Sequence, residues 1–176
     1  MRQRIFIIIG IAAVALVAAT AALAGTLTTT ATVTGTAGIS LNLPSNPSIS
    51  DILDGTDQTV SYAPVLGVVD ARGTGAGWNL TIAATTFIDG ASHTLAPGTV
   101  TAVAQVCHAG STCTAATNAI TPPLTISTTA GKFFNAALNT GLGKLDVTPT
   151  IQVAIPGNAY AGTYTSTLTL ATTTGP

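Results

Sequence analysis

The chain has 176 residues, of which only 6 % are charged, and its formal net charge is −1 with no glutamate anywhere. Three arginines and two lysines, scattered singly, exclude nucleic acid as a partner, because neutralising phosphates requires clustered cations. The acid–base inventory of six aspartates and two histidines shows no Ser/His/Asp or Cys/His arrangement in a recognisable setting, which argues against an enzyme and against any cofactor.

Arg2 and Arg4 precede an apolar run from Ile5 to about Val17, followed by small residues ending in Ala22-Leu23-Ala24. That order of positive, apolar and small residues is the plan of a secretory signal and predicts cleavage after Ala24. The competing reading is an uncleaved anchor of about one span's length. The thinning toward a cleavage site and the lack of stop-transfer charges favour the signal, which leaves no membrane contact after cleavage. Removing residues 1–24 leaves Arg72, Lys132 and Lys144 against six aspartates, a formal charge of −3. The organisation expected is a signal peptide over 1–24, a flexible lead-in over 25–30 and one domain over 31–176.

Beyond Thr30 the apolar residues follow a period of two, the strand signal, and threonine and valine suit a pleated surface better than a helix. Val33, Ala37, Ile39, Leu41 and Leu43 share one parity until Pro44. "DILDGTDQ" gathers Asp51, Asp54 and Asp57 in one loop, where a calcium reading competes with plain solvated carboxylates; the spacing matches no EF-hand, and no metal is expected. Val60, Tyr62, Leu66 and Val68 alternate around Pro64, which implies an edge or a bulge. Three glycines, Gly73, Gly75 and Gly77, then lead into Trp78, Leu80 and Ile82 on a single face, so the only tryptophan heads a strand. The glycines suit turn geometries with positive φ. Parity favours Trp78 as a core anchor over an exposed binding residue. Arg72 beside Asp70 reads as a local ion pair, with recognition of a ligand carboxylate as the functional alternative.

Further strands are expected at Val100–Val106, Leu124–Ser127, Leu145–Ile155 and Gly162–Ala171, the last two as antiparallel neighbours joined by "PGNAYAG". His93 falls in an expected hairpin loop. Cys107 and Cys113, six apart around Gly110 and Ser111, suit a disulfide in an oxidising compartment; zinc held with His108 is the weaker alternative, since a fourth ligand is missing. "KFFNAALNTGLGK", Lys132 to Lys144, breaks the alternation and reads as a packed surface loop. Six to nine short strands separated by turns specify an all-β fold, an antiparallel β-sandwich.

Trp78-Asn79-Leu80, preceded by "VVDARGTGAG" (Val68 to Gly77), together with the C-terminal "PGNAYAGTYTSTLTL" (Pro156 to Leu170), resembles the WxL-domain proteins of the bacterial cell surface. The resemblance covers about residues 30–176. It implies a secreted β-sandwich that associates non-covalently with the wall of Gram-positive bacteria, with peptidoglycan or another wall polymer as the partner. Carried onto this sequence, the motif residues are Trp78, Asn79, Leu80, Tyr164, Leu168 and Leu170. The family's second Trp-x-Leu stands here as Leu170-Ala171-Thr172, so that motif is degenerate. Tyr164 reads first as a strand residue and second as a glycan-stacking platform. The alternative function is a structural subunit of an extracellular fibre or surface layer, in which the Thr-rich segment from Leu27 to Leu43 pairs with a neighbour's sheet edge, that of a second copy or of another surface protein.

Overall fold

Alternating inward and outward side chains build two antiparallel sheets around a shared apolar interior, as the period of two requires, and a separate two-stranded hairpin pairs Phe87 with Leu95 and Ile88 with Thr94. The computed structural model describes residues 29–36 and 38–176. The expected signal segment with its cleavage site after Ala24, and residues 25–28 of the lead-in, lie outside the described residues. Residues 33–176 form one compact unit.

The strands in chain order are β1 (Ser40–Asn42), β2 (Gln58–Tyr62), β3 (Leu66–Asp70), β4 (Trp78–Ala84), β5 (Phe87–Ile88), β6 (Thr94–Leu95), β7 (Thr99–Cys107), β8 (Leu124–Thr125), β9 (Gly131–Ala136), β10 (Gly143–Ile155) and β11 (Leu168–Thr174). The fold is therefore all-β. Four of these strands, β1, β5, β6 and β8, are only two or three residues long, which is why they exceed the six to nine that alternation reveals.

The larger sheet runs β1-β3-β10-β7-β8, and β2 also pairs with β10. The thirteen-residue β10 organises it, with β7 along one flank and β3 and β2 in succession along the other. The register of Val147 with Leu66 and of Ile151 with Tyr62 continues in phase across the interruption, which sets Pro64 opposite Pro149. Neither proline has an N–H, so the ladder lapses there and resumes beyond. The smaller sheet is β11-β4-β9, with β4 at its centre. Between the sheets lie Leu66, Val68, Trp78, Leu80, Val100, Phe133, Leu145, Val147 and Ile151, each fully buried. Burial of each aliphatic side chain contributes roughly 1.5–3 kcal/mol.

Several expectations are corrected by the structure. The Val33–Leu43 run yields only β1, because Gly38 takes φ +83° and Val33 stays 93 % exposed. Leu124–Ser127 shortens to Leu124–Thr125. Lys132–Lys144 is no surface loop: its first half is β9, which buries Phe133 and Phe134 in the core. The register passes from Leu80↔Phe134 to Thr81↔Lys132, leaving Phe133 as the extra residue of a bulge. The bulge turns two consecutive phenylalanines inward and so erases the alternation in the sequence. Finally, the last two long strands are not neighbours. β11 begins only at Leu168 and pairs with β4 in the opposite sheet, because the segment before it crosses from one sheet to the other.

Candidate functional site

The three glycines before β4 take φ of 69°, 65° and 68°, as the sequence implies. At Gly77 a Cβ would also stand 2.5 Å from the carbonyl oxygen of Ala136, so the position is closed to other residues on two counts. The turn delivers Trp78 into the core with 0 % exposure. Its indole Nε1 donates to the carbonyl of Gly141 at 2.9 Å, and its ring packs against Phe134 with centroids 5.7 Å apart. Gly141 has no Cβ because one would meet the indole nitrogen at 2.6 Å. Asn79, also buried, donates from Nδ2 to the carbonyl of Gly175 at 2.7 Å. Leu80 is fully buried. The Trp-x-Leu triplet thus joins the core, the 137–142 turn and the C-terminal residues, and the core reading of Trp78 holds over the exposed one.

Arg72 is drawn into the same construction: the local ion pair with Asp70 that the sequence implies is present, and it is buried rather than exposed. Its Nε and Nη2 donate to both oxygens of Asp70 at 2.8 and 2.7 Å, with side-chain exposures of 9 % and 0 %. Nη2 also donates to the Gly77 carbonyl at 2.8 Å, and Nη1 to Thr174 Oγ1 at 2.9 Å. The hydrogen-bonded guanidinium holds the Asp70 carboxyl below its ordinary pKa of 3.8. The guanidinium fork is thus engaged by Asp70, Gly77 and Thr174 within the domain.

In β11, Leu170 pairs with Ile82 and Leu168 with Ala84, and both leucines pack against the core. The residue standing in place of the second tryptophan therefore keeps an apolar side chain on the inward face. Cys107 and Cys113 are joined by a disulfide beside His108, whose Nδ1 lies 2.9 Å from Asp146. Asp51, Asp54 and Asp57 do not converge: Asp51 accepts from the Ile52 N–H, Asp54 from Thr56, and Asp57 from the distant Gly157 N–H at 2.8 Å. Among the described residues no group of three or more His, Cys or Asp side chains is placed to hold a metal.

Tyr164 lies with Leu168 and Leu170 along one hollow, away from Trp78. It borders a cleft formed where the 43–53 loop, the β5–β6 hairpin and the 156–167 connection meet, at the Ala84 end of β4 and so at the far end of that strand from Trp78. Two overlapping hollows of about 850 and 500 Å³ share Pro47, Ile49, Phe87, Tyr164 and Thr165. Both volumes fall in the range of small-ligand clefts. All three tyrosines of the chain line them, Tyr62 and Tyr160 in addition to Tyr164. Burial raises the Tyr62 phenol above its ordinary pKa, and burial followed by the Asp89 charge does the same at Tyr164. Tyr160 is 64 % exposed and its ring stacks on His93 at 3.8 Å with 12° between planes.

Neither Tyr160 nor the cleft is singled out by reasoning on the sequence. The available signal is that two of three tyrosines stand four residues apart in one loop containing Gly162.

Fold and site together define an antiparallel β-sandwich domain with a tryptophan-centred end and an open aromatic cleft at the other. Residues 48–176 match the family described as WxL domain surface cell wall-binding, and the chain belongs to that family. No curated protein and no solved structure matches it.

Proposed function

We propose that the protein is a secreted, non-catalytic domain of the bacterial cell surface that associates non-covalently with peptidoglycan or another polymer of a Gram-positive wall. The observation that carries this is the match of residues 48–176 to a surface cell wall-binding family. The burial of Trp78, Asn79 and Leu80 supports a structural role for these motif residues, with contact to the wall made by the exposed surface of the domain. A non-catalytic role is supported by the histidines: each is paired with an aspartate, His93 with Asp89 in the hairpin loop and His108 with Asp146 of β10, and neither lines the cleft. The test is sedimentation with purified peptidoglycan sacculi. Saturable co-sedimentation is expected, and a protein that stays in the supernatant at all sacculus concentrations contradicts the proposal.

A second reading draws on residues 29–36, which are exposed, rich in threonine and outside the named strands. Such a segment suits pairing with the sheet edge of another surface protein or of a second copy. Concentration-dependent filaments that disappear on deletion of residues 25–43 are the outcome specific to this reading.

A further inference from the structure

The cleft contains a feature that the core motif does not require: an exposed aromatic ring held in a fixed position. Tyr160 projects from the 156–167 connection, and a lone tyrosine on such a loop ordinarily samples several rotamers. Here one contact holds the ring and two hold the backbone that carries it. His93 stacks on one face, and because His93 does not itself line the cleft, it backs the ring from outside. The imidazole is oriented in turn by Asp89, whose Oδ2 lies 2.6 Å from His93 Nδ1. The other carboxylate oxygen accepts from the backbone N–H groups of Ala91 and His93 at 2.9 and 2.8 Å. At the backbone, the Tyr164 hydroxyl donates to the Tyr160 carbonyl at 2.9 Å, and a two-residue bridge between Ile88 and Thr165 ties the connection to the hairpin. The far wall is held as well, since Asp57 captures the Gly157 N–H and anchors the loop that carries Ile52 and Leu53.

We propose that this cleft is a glycan-binding site, in which a sugar ring of an uncharged, N-acetylated wall glycan lies on the Tyr160 ring between the 47–53 loop and the 159–165 segment. The proposal rests on the wall-association reading above and names the place and the ligand class within it. A pyranose presents a face of C–H groups that is apolar and weakly positive, complementary to the negative face of an aromatic ring. Its hydroxyls and acetamido groups require neutral donors and acceptors, which Ser48, Ser50, Thr163 and Thr165 supply in the cleft lining. Charge selects among wall polymers. Among the described residues, Asp51 is the only lining side chain charged at neutral pH, and no lysine or arginine borders either hollow, so a phosphate-bearing polymer finds no counter-charge. The fixed ring adds affinity because its ordering is already accomplished before the ligand arrives.

The test compares the full chain with its Tyr160→Ala and Tyr160→Phe variants in two assays: sedimentation with sacculi, and calorimetric titration with a soluble hexamer of N-acetylglucosamine. Truncation to alanine is expected to weaken both interactions about tenfold, in keeping with the worth of one aromatic stacking contact. Phenylalanine keeps the ring and is expected to stay near wild type, and all three proteins should unfold at the same denaturant concentration. Wild-type affinity for sacculi in the alanine variant overturns the cleft as the site while leaving wall association standing. Binding to sacculi without any response to the hexamer overturns the glycan class. Binding of the hexamer without binding of sacculi supports the cleft and instead removes the wall-association reading.

Discussion

The two ends of β4 put aromatic residues to opposite uses. At its start Trp78 is sealed from solvent, hydrogen-bonded to Gly141 and surrounded by side chains that bind backbone. Beyond its end at Ala84, the paired strand leads back to Tyr164 and Tyr160, rings that border an open cleft. The difference teaches that the Trp-x-Leu triplet marks what holds the sandwich together, while the exposed rings stand in the C-terminal signature segment, whose sequence does not disclose the cleft they border.

The strongest way to break this comparison is at Trp78. Trp78→Ala removes a filled core volume and leaves the Gly141 carbonyl without its partner, and is expected to cost about 4 kcal/mol in denaturant unfolding. A loss below about 1 kcal/mol would mean that the indole is not the anchor described here. Arg72→Ala comes next, at about 3 kcal/mol, because it strands the buried Asp70 charge. Lysine at position 72 should recover little of this, since it cannot form the two-pronged contact.

The same pair sets an acid limit. The Asp70 pKa is lowered in the folded protein by the hydrogen-bonded Arg72, so its contribution to stability is complete above the ordinary carboxylate pKa and is lost as pH falls through the lowered folded value. Asp70→Asn is expected to reduce stability at neutral pH and to flatten the acid side of the stability profile followed by thermal unfolding. A profile that keeps its wild-type shape in this variant would contradict the assignment.

Smaller effects sharpen the contrast. Replacing Cys107 and Cys113 by serine opens a short ring and should cost about 2 kcal/mol. At the cleft, Tyr160→Ala should alter stability by less than about 0.5 kcal/mol, since its ring is largely in solvent. A large destabilisation there would move Tyr160 into the structural class occupied by Trp78.

How far the fold was legible follows from the same physics. β3, β4, β7 and β10 alternate in sequence because each presents one face to a single continuous core, and their positions follow directly from that period. β9 escaped because the bulge at Phe133 places two neighbouring side chains inward. The crossing of β11 to the opposite sheet was invisible because alternation reports which residues face inward and says nothing of which strand lies alongside. Trp78 was legible as a core residue from its parity with Leu80 and Ile82. The commitment of Arg72 to Gly77 and Thr174 was not, since Thr174 lies 102 residues away. The cleft was hidden for a similar reason: its wall is assembled from the 43–53 loop, β2, the β5–β6 hairpin, the end of β10 and the 156–167 connection, which only the tertiary fold brings together.

The most direct test of the central claim uses the single tryptophan as its own reporter. Acrylamide quenching of Trp78 fluorescence should be far weaker than for a solvent-exposed indole, and it should not change when a soluble wall-glycan fragment is bound. Ready quenching in the folded protein, reduced on addition of the fragment, would place the indole at the binding surface and contradict the separation of the two ends.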